Sequence, residues 1–209
     1  MRKETSMKPI PFNTEMVQAI LDWRKTATRL VVKPQFALDA DGKKHAFGGV
    51  DGNMFIWADK PNIKAVIHPP YQPGDILYVQ ETWCLNNFGW HYRADWSGDN
   101  CSDMGADDKW HSPICMPKEA ARLFLRVTDV RVERLQDITL EDIVREGIFD
   151  ACVGDDFIRC AAYLIFENKW DCTIKIADLP RYGWDANPWV WVIEFERISK
   201  ESALEGGHS

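Results

Sequence analysis

Several features that would assign this sequence to a familiar class of proteins are absent from it. No apolar run approaches the roughly 20 residues that a membrane-spanning helix needs, and the N-terminus lacks the apolar core of a secretion signal. There is no phosphate-cradling glycine-rich loop, metalloprotease helix motif, nucleophile elbow or zinc-finger spacing. We therefore expect a cytoplasmic protein that uses neither a metal nor an organic cofactor and has no membrane partner.

The six cysteines also lack the spacing of a metal site or a redox motif, because no C-x-x-C pair occurs among them. Without a secretion signal they are expected to be free thiols rather than disulfides. One alternative is a metal site that combines Cys101 and Cys115 with His91 and His111, although this spacing matches no standard site.

The formal net charge of −7 over 209 residues argues against a protein that binds a long nucleic acid over its whole surface. The charge is uneven along the chain. Residues 22–34 hold four cations and one acid, whereas residues 89–109 hold five aspartates and two cations. This distribution favours a local basic site for a small ligand, or else a protein partner.

The pattern of apolar and turn residues predicts one α+β domain over residues 1–198 and a flexible tail over residues 199–209. Strands are expected near residues 30, 78, 92, 125, 131 and 192, which suits a small β-barrel flanked by helices. Segments 36–70 and 84–117 are rich in turn residues and are predicted to be loop insertions.

Local signals predict the character of several of these elements. Pro73 and Gly74 occupy the centre of a type II turn that starts a central strand. In the strand over residues 121–135 the apolar positions change parity near Asp129, which predicts a bulge or a bend. A helix begins at Thr139 and ends at Gly147. The helix over residues 157–170 is expected to bury one face, formed by Phe157, Cys160, Ala161, Leu164 and Ile165.

Residues 14–30 are the stretch from which we derive the candidate site. They begin as an amphipathic helix that Asn13 or Thr14 can cap, and they end in the strand-like run at residues 30–32. Lys25 and Thr28 are therefore expected where a helix passes into a strand. Such a junction is either an ordinary solvated basic helix end or a rigid support for reactive groups.

A chemical role for this pair has clear physical requirements. A threonine hydroxyl needs a nearby base to become a nucleophile. The amine of Lys25 can act as that base only if burial or another cation lowers its pKa from about 10.4. If both residues are helical they are three positions apart on one face. Arg24 and Arg29 would then favour the neutral amine, and an acid from elsewhere would orient it.

At this point the sequence resembles the ASCH family of PUA-like barrels. Residues 20–28, Ile-Leu-Asp-Trp-Arg-Lys-Thr-Ala-Thr, are similar to the Gly-x-Lys-x-x-Thr signature that ends a helix in that family. Residues 73–77, the turn at residues 145–146 and the strand at residues 190–195 extend the similarity over most of residues 12–198. The resemblance implies a PUA-like fold and a ligand among RNA, modified nucleosides and nucleotides.

One branch of the family hydrolyses the acetyl amide of N4-acetylcytidine. By motif position its residues fall on Thr28 as nucleophile, Lys25 as base and Glu146 as the acid that orients Lys25, with Glu81 as a rival acid. The ligand-binding set implied at this position is completed by the following neighbours: Trp23, Arg24, Thr26, Arg29 and Glu81.

The sequence departs from the family signature at two positions, since it has Trp23 in place of glycine and Leu30 in place of arginine. Trp23 predicts either a longer helix or an altered turn, with an indole ring that could cover the pocket. We therefore rank three functions in order. The first is binding of RNA or a modified nucleoside or nucleotide, the second is nucleoside deacylation, and the third is a non-catalytic protein-interaction module.

Overall fold

A computed structural model of the chain describes residues 7–33, 35, 48–50, 54–59, 62–96, 109–148 and 156–205. Within these residues the strands are β1 (Lys8–Pro11), β2 (Ala27–Val31), β3 (Gly48–Val50), β4 (Met54–Asp59), β5 (Asn62–Ile67), β6 (Ile76–Gln80), β7 (Trp83–Asn86), β8 (Gly89–Tyr92), β9 (Phe124–Arg134) and β10 (Trp189–Ile198). The α-helices are α1 (Thr14–Leu21), α2 (Leu140–Arg145), α3 (Asp156–Thr173), α4 (Leu179–Tyr182) and α5 (Lys200–Glu205).

The main sheet has the strand order β1-β6-β9-β10-β2, with β1 parallel to β6 and the other pairs antiparallel. Two smaller sheets, β3-β4-β5 and β7-β8, lie in the segments that were predicted to be insertions. The α+β class is therefore correct. A closed barrel is not found among the described strands, because β1 and β2 are both edges of the main sheet and do not pair with each other.

Strand β10 is apolar along most of its length because both of its faces are covered. Trp191 and Ile193 belong to the core that also contains Val17 and Ile20 of α1. The alternate residue Val192 belongs to a second core, formed with α2 and α3. A strand with a period of two residues thus presents apolar side chains to both layers, as its sequence indicates.

The predicted irregularity in β9 is confirmed. Asp129 pairs with Glu194, and Val127 pairs with Phe195, so Thr128 is an extra residue between two registered pairs. The strand thereby changes which face it turns inward, which explains the parity change in the sequence.

Other local signals have mixed outcomes. Gly74 has the left-handed φ of 89° that the turn requires, and β6 lies inside the sheet as predicted. The face predicted for α3 is wrong, since Leu164 is exposed and the buried residues Ala162 and Phe166 recur at intervals of four. The tail prediction is wrong for residues 200–205, which form α5 and bury Ala203 in a third core.

Among the described residues, no helix is both long and apolar enough to cross a membrane.

Candidate functional site

Lys25 lies in the connection between α1 and β2, and Thr28 lies at the start of β2, so the predicted junction of helix and strand is confirmed. Asn13 caps α1 through its side chain, but the helix ends at Leu21 and the strand begins at Ala27. The backbone N–H groups of Arg24 and Lys25 both donate to the carbonyl of Ala19, at 2.8 and 3.0 Å. Lys25 and Thr28 therefore do not share a helical face, and their approach depends on the connection and on β2.

Trp23 closes the helix in the way that a glycine usually does. Its φ of 60° is left-handed, a conformation that costs a residue with a side chain about 1 kcal/mol or more. The prediction of an altered turn is thus correct, and that of a longer helix is wrong. The indole ring is 67% exposed and lies 4.8 Å from the guanidinium carbon of Arg197.

Lys25 is a fully buried cation whose donors are all occupied. Its Nζ donates to the carbonyl of Ala27 at 2.7 Å, to the carbonyl of Glu146 at 3.1 Å and to Oε2 of Glu146 at 2.6 Å. The Lys25 side chain has no exposed surface. Because an ammonium group has three N–H donors, this environment satisfies every one of them.

Glu146 reaches Lys25 because the end of α2 packs tightly against the α1–β2 connection. The two residues form a backbone bridge, and the N–H of Thr26 donates to the carbonyl of Arg145 at 2.8 Å. Gly147 follows with a φ of 74°, and a Cβ there would lie 2.9 Å from the Cβ of Lys25. A glycine is therefore required at this position both by the backbone and by the close approach.

Arg29 on β2 extends the ion pair into a network. Its Nη1 donates to Oε1 of Glu146 at 3.2 Å, and its Nη2 lies 2.6 Å from Glu133 and 3.3 Å from Asp142. Glu146 consequently shares its two carboxylate oxygens between Lys25 and Arg29. This arrangement holds the carboxylate in one orientation.

The electrostatic balance at Lys25 favours the neutral amine more than in water. Burial lowers the pKa of Lys25, the Glu146 carboxylate opposes this shift, and the positive charge of Arg29 adds to it. The net direction is downward from the ordinary value of 10.5. A lysine with a lowered pKa satisfies one requirement for a base.

A cavity of about 740 Å³ lies beside this network, between α1 and α3. Its floor contains Thr28, Arg29 and Glu146, and the hydroxyl of Thr28 makes no hydrogen bond within the part of the chain that the structure describes. The volume is typical of pockets for small organic ligands. The remaining lining residues are Asn13, Thr14, Glu15, Met16, Gln18, Ala19, Arg24, Gly147, Ile148, Phe166, Asn168, Lys169, Trp170, Cys172 and Thr173.

Not all of the predicted site residues contribute to this cavity. Arg24 lines it and donates to the carbonyl of Gly147 at 2.8 Å. Trp23 and Thr26 do not line it. The indole ring of Trp23 was expected to cover the pocket and does not. Lys25 is not a lining residue either, and it lies behind the carboxylate of Glu146.

Glu81 does not take part in the Lys25 network. It lies just after β6, where Nε and Nη2 of Arg122 each donate to one of its oxygens at 2.9 Å. It does not line this cavity. Of the two rival acids, Glu146 is therefore the one that the fold brings to Lys25.

Sequence reasoning missed two parts of the site. Glu133 and Asp142 hold Arg29, and only Asp142 carries a local signal, because it forms a capping box with Thr139. The wall that α3 contributes was also missed. Phe166, Trp170 and Thr173 recur at helical spacing and line the cavity, a pattern that the sequence contains.

The alternative metal site falls partly outside the described residues, since Cys101 lies in an undescribed segment. Among the residues that are described, no group of three or more histidine, cysteine, aspartate and glutamate side chains is arranged to hold a metal ion.

Comparison of the chain with protein-family models, curated proteins and solved structures found no match.

Proposed function

We propose that this protein is an ASCH-type pocket protein, with a PUA-like barrel, that binds RNA or a modified nucleoside or nucleotide. The observation that supports this most directly is the carboxylate of Glu146. Lys25 and Arg29 hold it at the floor of a nucleoside-sized cavity that Thr28 also lines. The edge strands β1 and β2, which α1 connects, are the strands that would close the barrel.

The polar groups on the cavity floor match the edges of a nucleobase. A fixed carboxylate accepts hydrogen bonds from an exocyclic amine or a ring N–H, and a guanidinium donates to a carbonyl oxygen. The free hydroxyl of Thr28 can do either. Recognition of this kind needs binding groups that are held in place before the ligand arrives. Side chains that become ordered only on binding lose conformational freedom, and this loss weakens affinity.

The hydrogen bonds of Lys25 favour binding over turnover. All three of its donors contact acceptors other than Thr28. A base that removes the proton of Thr28 has to direct a lone pair toward that hydroxyl. Lys25 in this arrangement acts instead as a positioning residue for Glu146.

Deacylation of an N4-acylated cytidine is the second candidate, and two observations favour it. The pKa of Lys25 is lowered by burial, and the hydroxyl of Thr28 borders the cavity. In this reaction the oxygen of Thr28 attacks the acyl carbonyl while its proton passes to the Lys25 amine. That proton then leaves with the cytidine amine, and water hydrolyses the acyl-threonine ester to regenerate the enzyme.

The test compares N4-acetylcytidine with the four ordinary nucleosides by calorimetric titration, and follows acetylcytidine in the same samples by chromatography. We expect the wild type to bind at least one nucleoside and to form no cytidine. Thr28→Val removes the hydroxyl with little change of shape, and it should weaken binding about tenfold. Thr26→Val is the matched control, because Thr26 is exposed and lines no part of the cavity.

Release of cytidine and acetate by the wild type, lost in Thr28→Val and kept in Thr26→Val, would replace the binding proposal with the deacylase. If the wild type neither bound nor converted any of the five nucleosides, binding of a free nucleoside and the deacylase would both be ruled out.

A further inference from the structure

A second cavity, of about 540 Å³, adjoins the first. Arg29, Trp170 and Thr173 line both of them, so the two spaces share a wall. The second cavity extends along the end of β2 past Leu30 and Lys33. The two cavities are therefore close enough for one extended ligand to contact both.

The two cavities differ in charge. The first is lined by two carboxylates, Glu15 and Glu146, and by three cations, Arg24, Arg29 and Lys169. Among the described residues that line the second there is no carboxylate, and the charged ones are Arg29 and Lys33. The rest of its lining is mainly apolar or aromatic: Leu30, Val31, His68, Pro70, Trp170, Thr173, Ile174 and Trp191.

Lys33 is the cation of the second cavity that has no acidic partner among the described residues. Arg29 is paired with Glu133 and Glu146, whereas Lys33 is exposed and forms no ion pair with the described residues. Its Nζ lies 5.2 Å from the centre of the Tyr182 ring, and the guanidinium carbon of Arg181 lies 5.9 Å from the same centre. Neither Tyr182 nor Arg181 lines the cavity, so Lys33 is the exposed cation that makes this end of it attractive to an anion.

We infer that the second cavity is a subsite for a phosphate attached to the nucleoside in the first, with Lys33 as the residue that contacts it. The inference rests on the proposed nucleoside site. The ligand is then a nucleotide, either free or within an RNA strand, rather than a free nucleoside. The apolar walls at Pro70, Trp170 and Trp191 suit the sugar or base on the far side of that phosphate.

Three probes separate the possible sources of the phosphate. They are N4-acetylcytidine, its 5′-monophosphate and the trinucleotide that carries a uridine on each side, all titrated calorimetrically at low and at physiological salt. We expect at least one phosphorylated probe to bind the wild type about tenfold more tightly than the nucleoside. A gain for the monophosphate alone would indicate a terminal phosphate, equal gains for both would indicate one phosphate in either setting, and a gain for the trinucleotide alone would indicate a strand.

The variants assign this gain to one residue. Lys33→Ala should reduce the advantage of the phosphorylated probe to about twofold and leave the affinity for the nucleoside unchanged, and Lys33→Arg should restore the advantage. Lys118→Ala removes the same charge from an exposed lysine that lines neither cavity. It should change neither affinity.

Equal binding of all three probes to the wild type would overturn the subsite and leave the nucleoside site standing. An equal loss in Lys118→Ala and Lys33→Ala would overturn it too, because the effect would then come from overall charge. Failure of the wild type to bind the nucleoside or either phosphorylated probe would remove the proposed function and the subsite together.

Discussion

Glu81 and Glu146 are two buried carboxylates that each bind a cation, but only Glu146 borders one of the two cavities. Arg122 approaches Glu81 as a fork, with a donor at 2.9 Å from each oxygen. Glu146 instead divides its oxygens between Lys25 at 2.6 Å and Arg29 at 3.2 Å. Glu81 is thus paired with one partner, whereas Glu146 joins two cations beneath a cavity.

The difference shows how a structural acid is distinguished from a candidate ligand-binding acid. The fork between Glu81 and Arg122 ties the end of β6 to the segment before β9, and Arg122 continues to Asp95 at 2.6 Å. Each carboxylate oxygen has two acceptor sites, so one donor per oxygen leaves Glu146 able to accept another from a ligand. Both acids are buried and paired with a cation. The feature that distinguishes Glu146 from Glu81 is the cavity beside it.

The largest effect is expected from Lys25→Met. This change leaves Glu146 buried with Arg29 alone, and removal of one partner from a buried ion pair costs about 3–5 kcal/mol of unfolding free energy. Urea denaturation measures this loss. The double variant Lys25→Met/Glu146→Gln should regain part of it, because the uncompensated charge is gone.

Lys118→Met is the matched control, since it removes an exposed lysine, and it should change the unfolding free energy by less than about 0.5 kcal/mol. If Lys25→Met were as harmless as this control, the buried network would not contribute to stability.

Glu81→Gln should give a smaller loss of stability, of about 2 kcal/mol, because the partly exposed Arg122 keeps Asp95 as a partner. It should leave nucleoside affinity unchanged. Glu146→Gln should weaken that affinity about tenfold in the same calorimetric assay. Equal loss of affinity in the two variants would remove the distinction between the acids.

The smallest expected effect is on the pH dependence of stability, which differs in sign between the two sites. Burial raises the pKa of Glu81 above 4.5, and Arg122 only partly offsets this. Just above pH 4.5, the folded protein therefore binds more protons at Glu81 than the unfolded chain does. The stability contributed by Glu81 falls as pH rises through that window.

The folded-state pKa of Lys25 lies below 10.5. Just below pH 10.5, the unfolded chain therefore binds more protons at Lys25 than the folded protein does. The stability contributed by Lys25 rises as pH increases toward 10.5. Urea titrations of the wild type, Glu81→Gln and Lys25→Met across both windows measure the two slopes. Slopes of the same sign would contradict the assigned shifts.

The two partners of the Glu81 pair respond differently to burial. Burial lowers the pKa of Arg122, but its hydrogen bonds to Glu81 and Asp95 prevail and raise that pKa above its ordinary value. The Arg122 side chain is 27% exposed and that of Glu81 only 1%. The burial penalty therefore governs the acid and not the cation.

Local signals in the sequence were sufficient for much of the sheet. Gly74 starts β6, the parity change at Asp129 indicates the bulge of β9, and β10 is apolar because it is covered on both faces. The sequence did not decide between a longer helix and an altered turn at the end of α1, where Trp23 adopts a conformation that usually requires glycine. Around this turn the chain contacts Arg197 and the end of α2. These residues are distant in sequence, so a local sequence pattern could not predict the contacts.

The site itself was only partly predictable. Lys25 and Thr28 were indicated by their position between a helix and a strand, and Glu146 by family resemblance. The fold brings Thr28 and Glu146 to one cavity with Lys25 behind them. Residue pattern alone could not choose between Glu81 and Glu146. That choice depends on how α2 packs against the α1–β2 connection.

The backbone bridge between Lys25 and Glu146 has a consequence for the order of folding. These residues are 121 positions apart, so their contact closes a long loop, which is slow to form. Before α2 arrives, Lys25 has only the carbonyl of Ala27 among its three acceptors. A nascent chain that ends before residue 139 would contain the whole signature at residues 23–28 and no pocket. We expect ligand binding to appear only after α2 has packed against the α1–β2 connection, so that it reports a later stage of folding than the signature segment alone.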